Sequence, residues 1–195
     1  MIRPGTFERV YGALKAEIRS GRYRPGDRLE PAALSETLNA SVTPIRDALH
    51  RLTGERLVEA PAHEGFRVPL LTEAGLRQLY RWHHRLLALA MKSPAALAGQ
   101  SAAEDIELRD ALLARARLSG EPELIAALES ATDRLGALVP HETALLGSSV
   151  DDEREAVLAS LGRGEAALLR RLLNAATRHR LRIVPALLER LYAAG

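Results

Sequence analysis

Residues 31–56, PAALSETLNASVTPIRDALHRLTGER, constrain this chain more than any other stretch. Two short helical patterns meet there at a turn near Asn39, a residue that enters the left-handed conformation at little cost. The first pattern runs from about Pro31 to Leu38, with Leu34 and Leu38 inward, and the second spans about Thr43 to Gly54. Ser41 or Thr43 can cap the second helix, and Pro44 suits its first turn, where a missing N–H costs nothing. A helix end prepared in this way suits presentation to a partner, and the pair reads as a helix-turn-helix.

The flanking residues extend that unit. In residues 6–20 the apolar positions Phe7, Val10/Tyr11, Leu14 and Ile18 recur at the spacing of one helix face, with Thr6 as a cap and Gly21 as a stop. Pro25-Gly26 reverses the chain before Leu29. After the second helix of the pair, LVEAPAHEGFRVPLL places Leu57 and Val58 before a turn at Ala60 to Gly65, then Phe66, Val68 and Leu70. This reads as a short β-hairpin. Three helices and a hairpin make a winged helix-turn-helix, assigned to residues 1–71.

From Thr72 onward only helical patterns appear. One runs from Glu73 through Leu76, Leu79/Tyr80, His83, Leu86/Leu87 and Ala90 to a stop near Ser93-Pro94. Others span about 103–118, 121–139, 151–161 and 165–192, and Pro185 is expected to kink or split the last. The fold class is therefore mainly α: a winged helix-turn-helix, then an all-helical antiparallel bundle over residues 72–195.

Composition narrows the setting. With 47% hydrophobic residues, the 195-residue chain has enough apolar surface for a real core. It has no apolar run of the roughly 18 residues a membrane span needs, no signal-peptide block and no Cys, so a cytoplasmic location is expected. The net charge is only +2, carried by residues 1–72, where 11 Lys and Arg face 9 Asp and Glu. Two charges argue weakly for nucleic acid, so the reading rests on where the arginines fall. No phosphate loop, GxSxG or HExxH occurs, and neither an enzyme nor a cofactor is expected.

Pro25-Gly26-Asp27-Arg28-Leu29, Leu34-Ser35-Glu36, Ser41-Val42-Thr43-Pro44-Ile45-Arg46-Asp47-Ala48-Leu49 and Gly65-Phe66-Arg67-Val68 together resemble the DNA-binding domain of the GntR family of bacterial transcription regulators. The helical remainder is similar to the FCD-type effector domain of many such proteins. The resemblance implies a homodimer on a pseudo-palindromic double-stranded DNA operator, usually a repressor released by a small carboxylate.

The residues themselves offer Ser41, Thr43, Arg46, His50 and Arg51 on the second helix, and His63, Gly65 and Arg67 in the wing, as DNA contacts. Arg46 can fork onto guanine or clamp a phosphate; the plainer reading pairs it with an acid on a solvated surface. Two departures from the family pattern stand out. Val42 and Ala32 occupy places where the resemblance implies arginines, so weaker salt dependence or an altered operator is expected.

Many FCD domains hold a metal with an Asp and three His. On the register of the resemblance those positions are Asp133, Ala137, Arg154 and Ala176, so no metal is expected. His83 takes the place of a family arginine that holds ligand carboxylate. A metal-free effector pocket lined by His83, Asp133 and Arg154 is the expectation, against a plain buried, hydrogen-bonded His83. Arg170-Arg171 and Arg178-His179-Arg180-Leu181-Arg182 form either a second nucleic-acid surface or a solvated face, the latter being commoner. The alternative function is a DNA-binding regulator whose bundle only dimerises or binds a partner protein.

Overall fold

The computed structural model describes residues 5–98 and 107–193. Contacts divide the chain into two compact units, residues 1–71 and 72–195.

The first unit contains α1 (Thr6–Arg19), α2 (Pro31–Thr37) and α3 (Val42–Gly54). Gly5, not Thr6, occupies the cap position of α1, and Thr6 is the first helical residue. At the other end Gly21 takes φ +78°, and the amides of Gly21 and Arg22 donate to Ile18 and Glu17 carbonyls. That left-handed close is the reason a glycine stands there. Both α1 and α2 pack on α3. Val10, Leu14 and Ile18 of α1 meet Leu34 of α2, Ile45, Leu49 and Leu52 of α3, and Leu29, Leu57, Val58 and Val68 in one buried core. Each such aliphatic side chain contributes about 1.5–3 kcal/mol on burial, and together they hold α3 in place. Asn39 forms the turn between α2 and α3 with φ +46°, as its residue type allows.

The expected hairpin is reduced to single bridges, with no regular strand among the described residues. Glu59 and Arg67 exchange both backbone hydrogen bonds, at 2.9 and 3.0 Å. On the other side of the same segment the Leu29 amide donates to Phe66 and the Val68 amide to Asp27. Pro61 and Pro69 bracket the paired residues and supply no N–H to lengthen the ladder. Leu70, expected to continue the alternation, is exposed.

The second unit contains α4 (Glu73–Ala90), α5 (Pro94–Ala98), α6 (Leu108–Arg117), α7 (Pro122–Gly136), α8 (Val139–Leu146), α9 (Ser149–Gly162) and α10 (Ala166–Ala193). Thr72 caps α4 by accepting from the Gly75 amide at 3.1 Å. Leu76, Leu79, Tyr80, His83, Leu86, Leu87 and Ala90 form its buried stripe. Against it lie α10, α7 and α6, while α10 also packs on α8 and α9. The expected start of α6 near residue 103 lies outside the described residues.

Two departures concern prolines. Pro94 and Pro140 read as breaks in the sequence, yet each lies in the first turn of a short helix, α5 and α8, where proline is pre-organised. Pro185 does not split α10, which runs unbroken for 28 residues. Proline there leaves the carbonyl four residues earlier without its helical donor. That carbonyl belongs to Leu181, and Arg77 of α4 donates to it at 2.7 Å. A neighbouring helix thus restores the lost hydrogen bond.

Candidate functional site

One side of α3 is spent on the core through Ile45, Ala48, Leu49 and Leu52. The opposite side leaves Ser41, Val42, Thr43, Arg46, Asp47 and His50 exposed. Ser41 is the N-cap residue, but its side chain makes no capping hydrogen bond, so the first-turn amides keep their donor capacity for an anion. Arg46 is exposed and makes no hydrogen bond or ion pair among the described residues. The pairing with a surface acid weighed for it from sequence is therefore not present, and its fork is available to a partner.

The wing lies beside this face. His50 of α3 meets Phe66 edge-on, with ring centroids 5.0 Å apart. The turn uses left-handed backbone at His63 (φ +64°) and Gly65 (φ +77°), both exposed. Glycine adopts that region freely, whereas His63 is held there by the tight turn. Arg67 sits between two carboxylates, with Nη1 2.9 Å from Glu64 and Nε 3.3 Å from Glu59. Burial of Val58, Val68 and Leu29 turns the bridged residues Glu59, Arg67 and Arg28 to the solvent side of the wing.

Arg51 behaves differently from the other residues expected to contact DNA. Its guanidinium lies 4.0 Å from the Tyr11 ring centroid and 5.8 Å from that of Phe7, with Glu8 and Glu55 carboxylates each at 3.6 Å. It faces α1 and clamps α3 to it. Tyr11 donates to Glu55 at 2.6 Å and Lys15 to the same carboxylate at 2.9 Å. Burial resists ionisation of Glu55, but these two hydrogen bonds and the charges of Lys15 and Arg51 together hold the carboxyl below its ordinary range. A second clamp went unread in the sequence. Arg9 donates to the carbonyls of Leu38 and Asn39, at 2.9 and 3.2 Å, and so fixes the turn between α2 and α3 from α1. A cation is favoured at such a helix C-terminus.

In the second unit His83 is buried, its Nε2 3.3 Å from Thr132 Oγ1 on α7. Burial, then the charges of Arg109 and Arg180, push its pKa down to about 3, so the ring is neutral at pH 7. This is the hydrogen-bonded core histidine weighed against a ligand role. Asp133, next to Thr132, is buried on α7, and Arg154 on α9 is half-buried.

The polar centre of this unit is a cluster absent from the sequence-based expectation. Glu142 of α8 is buried and accepts hydrogen bonds from Tyr80 of α4 at 2.6 Å, Arg109 of α6 at 2.6 and 2.7 Å, and Arg180 of α10 at 3.0 Å. Arg180 also pairs with Glu153 of α9 at 2.6 Å. Burial disfavours the Glu142 anion, yet Arg109, Arg180 and the Tyr80 hydrogen bond hold its carboxyl below the ordinary range. Burial and the Glu142 charge push the Tyr80 phenol up. Arg180 was expected on a solvated face; it turns inward, while Arg170, Arg171, Arg178 and Arg182 are exposed. Its signal was its spacing, four residues after Ala176 and four before Val184 on the buried stripe of α10, which the surrounding arginines masked.

The positions at which the FCD resemblance would place metal ligands do not fit a metal. Ala137 and Ala176 have no donor side chain, and Arg154 offers a cation. Among the described residues no group of three or more His, Asp or Glu is arranged to hold a metal ion.

Residues 6–68, which cover α1 to α3 and the wing, match the family described as bacterial regulatory proteins, gntR family. Over those residues the N-terminal unit is similar to the DNA-binding domains of that family. The Nta operon transcriptional regulator of Aminobacter aminovorans is 38% identical over 96 residues, covering 48% of this chain and 44% of that protein. The HTH-type transcriptional regulator McbR of Escherichia coli (strain K12) is 36% identical over 87 residues, covering 42% of this chain and 38% of its own. The chain thus spans less than half of the length of either relative. The solved structure of E. coli McbR/YncC superposes with a TM-score of 0.73 at 22% identity, covering 95% of this chain and 99% of that one, and so shares the fold. In the N-terminal unit Val42 is 38% exposed and Ala32 is exposed as well, so both departures from the family pattern lie at the surface. No helix among the described residues is long and apolar enough to cross a membrane.

Proposed function

We propose that this protein is a dimeric transcription repressor that grips a pseudo-palindromic operator, one α3 per half-site. The observation that supports this most directly is the unpartnered Arg46 on the exposed side of α3, beside an uncapped helix start, in a GntR-family unit. Thr43, Ser41 and the first-turn amides hold phosphate oxygens, Arg46 reads a base or clamps a phosphate, and His50, His63, Gly65 and Arg67 complete the contact from the wing. Arg51 is left out of the contact set because it clamps α1. In this reading the second unit, residues 72–195, is a degenerate FCD-type domain that carries the dimer contact.

For that unit two modes of action were open. Release of the operator by a small organic acid, in a pocket lined by His83, Asp133 and Arg154, needs an interior cation free to take a carboxylate. Arg109 and Arg180 already hold Glu142, and His83 is neutral and hydrogen-bonded to Thr132. This favours a unit that dimerises or binds a partner protein without a small-molecule effector. Neither mode calls for catalysis. Sequencing DNA selected by the purified protein tests the whole: enrichment of a two-fold symmetric motif supports it, and no enriched motif refutes it. A thermal-shift screen with small organic acids, followed on the recovered operator, separates the two modes.

A further inference from the structure

Three helices converge on one carboxylate in the second unit. Tyr80 Oη, Arg109 Nη2 and Arg180 Nε donate to Glu142, and the side chains of Arg109 and Arg180 are only 8% and 13% exposed. Burying a guanidinium is costly unless a carboxylate meets it; Glu153 also pairs with Arg180, so the two guanidiniums still call for one further anion, and the Tyr80 hydroxyl is placed to donate to it. The anion comes from a helix that otherwise hardly enters the core. Of the eight residues of α8, only Glu142 is buried, and the helix ends at Gly147, whose φ of +61° and ψ of −147° suit glycine alone. Leu138 at its N-cap is buried and Val139, Leu145 and Leu146 are half-buried, but Glu142 is the side chain that carries α8 into the polar centre. We propose that Tyr80, Arg109 and Arg180 form a carboxylate-binding site that the chain fills with its own Glu142, α8 serving as a tethered ligand.

The site takes small monocarboxylates once Glu142 is removed. Truncating Glu142 to Ala deletes one methylene and one carboxylate, the heavy-atom content of acetate, so acetate fits the vacated volume and formate underfills it. In the wild-type chain the tethered carboxylate is at high effective concentration and excludes free acids. The proposal concerns the second unit alone and stands or falls independently of the operator reading.

The test is thermal unfolding of the full chain as wild type and as Glu142→Ala, in sodium acetate, formate or chloride at matched ionic strength. The variant is expected to melt below wild type and to recover in acetate saturably, by roughly 4–6 °C at ten times its Kd. Formate should act more weakly, and wild type should show no carboxylate-specific shift. Equal response of the variant to acetate and chloride overturns the proposal, as does a wild-type shift equal to that of the variant. Should Glu142→Ala fail to accumulate, refolding from urea gives the same decision. Helical signal regained in acetate but not in chloride supports the site; equal recovery, or none in either salt, refutes it.

Discussion

Arg46 and Arg51 lie five residues apart on α3, both exposed and both legible as DNA contacts, yet the structure gives them opposite surroundings. Arg46 touches no acid among the described residues, so Arg46→Ala removes nothing from the folded state. Its effect on stability should stay within about 0.5 kcal/mol, the range of unengaged surface substitutions. Operator affinity should fall by about 1–3 kcal/mol, the worth of one good base contact, which is roughly 5- to 150-fold. Arg51→Ala should do the reverse. Its guanidinium is 4.0 Å from the Tyr11 ring centroid, a contact worth about 0.5–1 kcal/mol at an exposed site. The carboxylates of Glu8 and Glu55, each at 3.6 Å, add at most a few tenths to that. A loss of about 1 kcal/mol lowers the melting temperature of a unit this size by roughly 4–8 °C. Operator binding, measured well below that temperature, should be unchanged. Calorimetry and fluorescence anisotropy on the operator read the two quantities separately. The reasoning fails if Arg51→Ala weakens binding without lowering stability, or if Arg46→Ala destabilises the protein and spares affinity.

Three further outcomes follow from named contacts. Val42→Arg should add one phosphate contact per subunit and steepen the plot of log affinity against log salt by about 0.9 per contact; an unchanged slope would place residue 42 away from the DNA. Arg77→Met should cost about 1–2 kcal/mol by leaving the Leu181 carbonyl unbonded. In a Pro185→Ala background, where a helical N–H returns, the cost should shrink; equal costs in urea titrations of both backgrounds would refute the rescue. His83 stays neutral when folded, while the unfolded chain protonates it near pH 6.5. Stability attached to it is therefore complete above that pH and is lost as pH falls from 6.5 toward 3, on the order of 2 kcal/mol between pH 7 and 5. His83→Gln should flatten that decline relative to wild type, and identical pH profiles would contradict it.

Local chemistry alone determined the N-terminal unit. Its apolar spacing, the Asn39 turn and Gly65 in the wing each have one good conformational use, and Pro44 fits the arrangement on which they agree. The wing was legible as a reversal but not in its length, because the prolines that shorten its ladder also look like ordinary turn residues. The long helices of the second unit followed from their 3.6-residue period. The short ones did not, because a proline in the first turn of a helix and a proline that ends one look alike in sequence.

Tertiary structure decided how the charges are used. A guanidinium on a helix can point to solvent, to a ring or into the core, and sequence spacing does not distinguish these when arginines crowd one helix. Only packing turned Arg51 onto Tyr11, Arg9 onto the end of α2, Arg77 onto the carbonyl that Pro185 orphans, and Arg180 onto Glu142. The partners lie between 29 and 104 residues away along the chain, and no local period encodes such a meeting. Arg46 is the exception: among the described residues it has no hydrogen-bond or ion-pair partner, which the sequence allowed and the fold made visible.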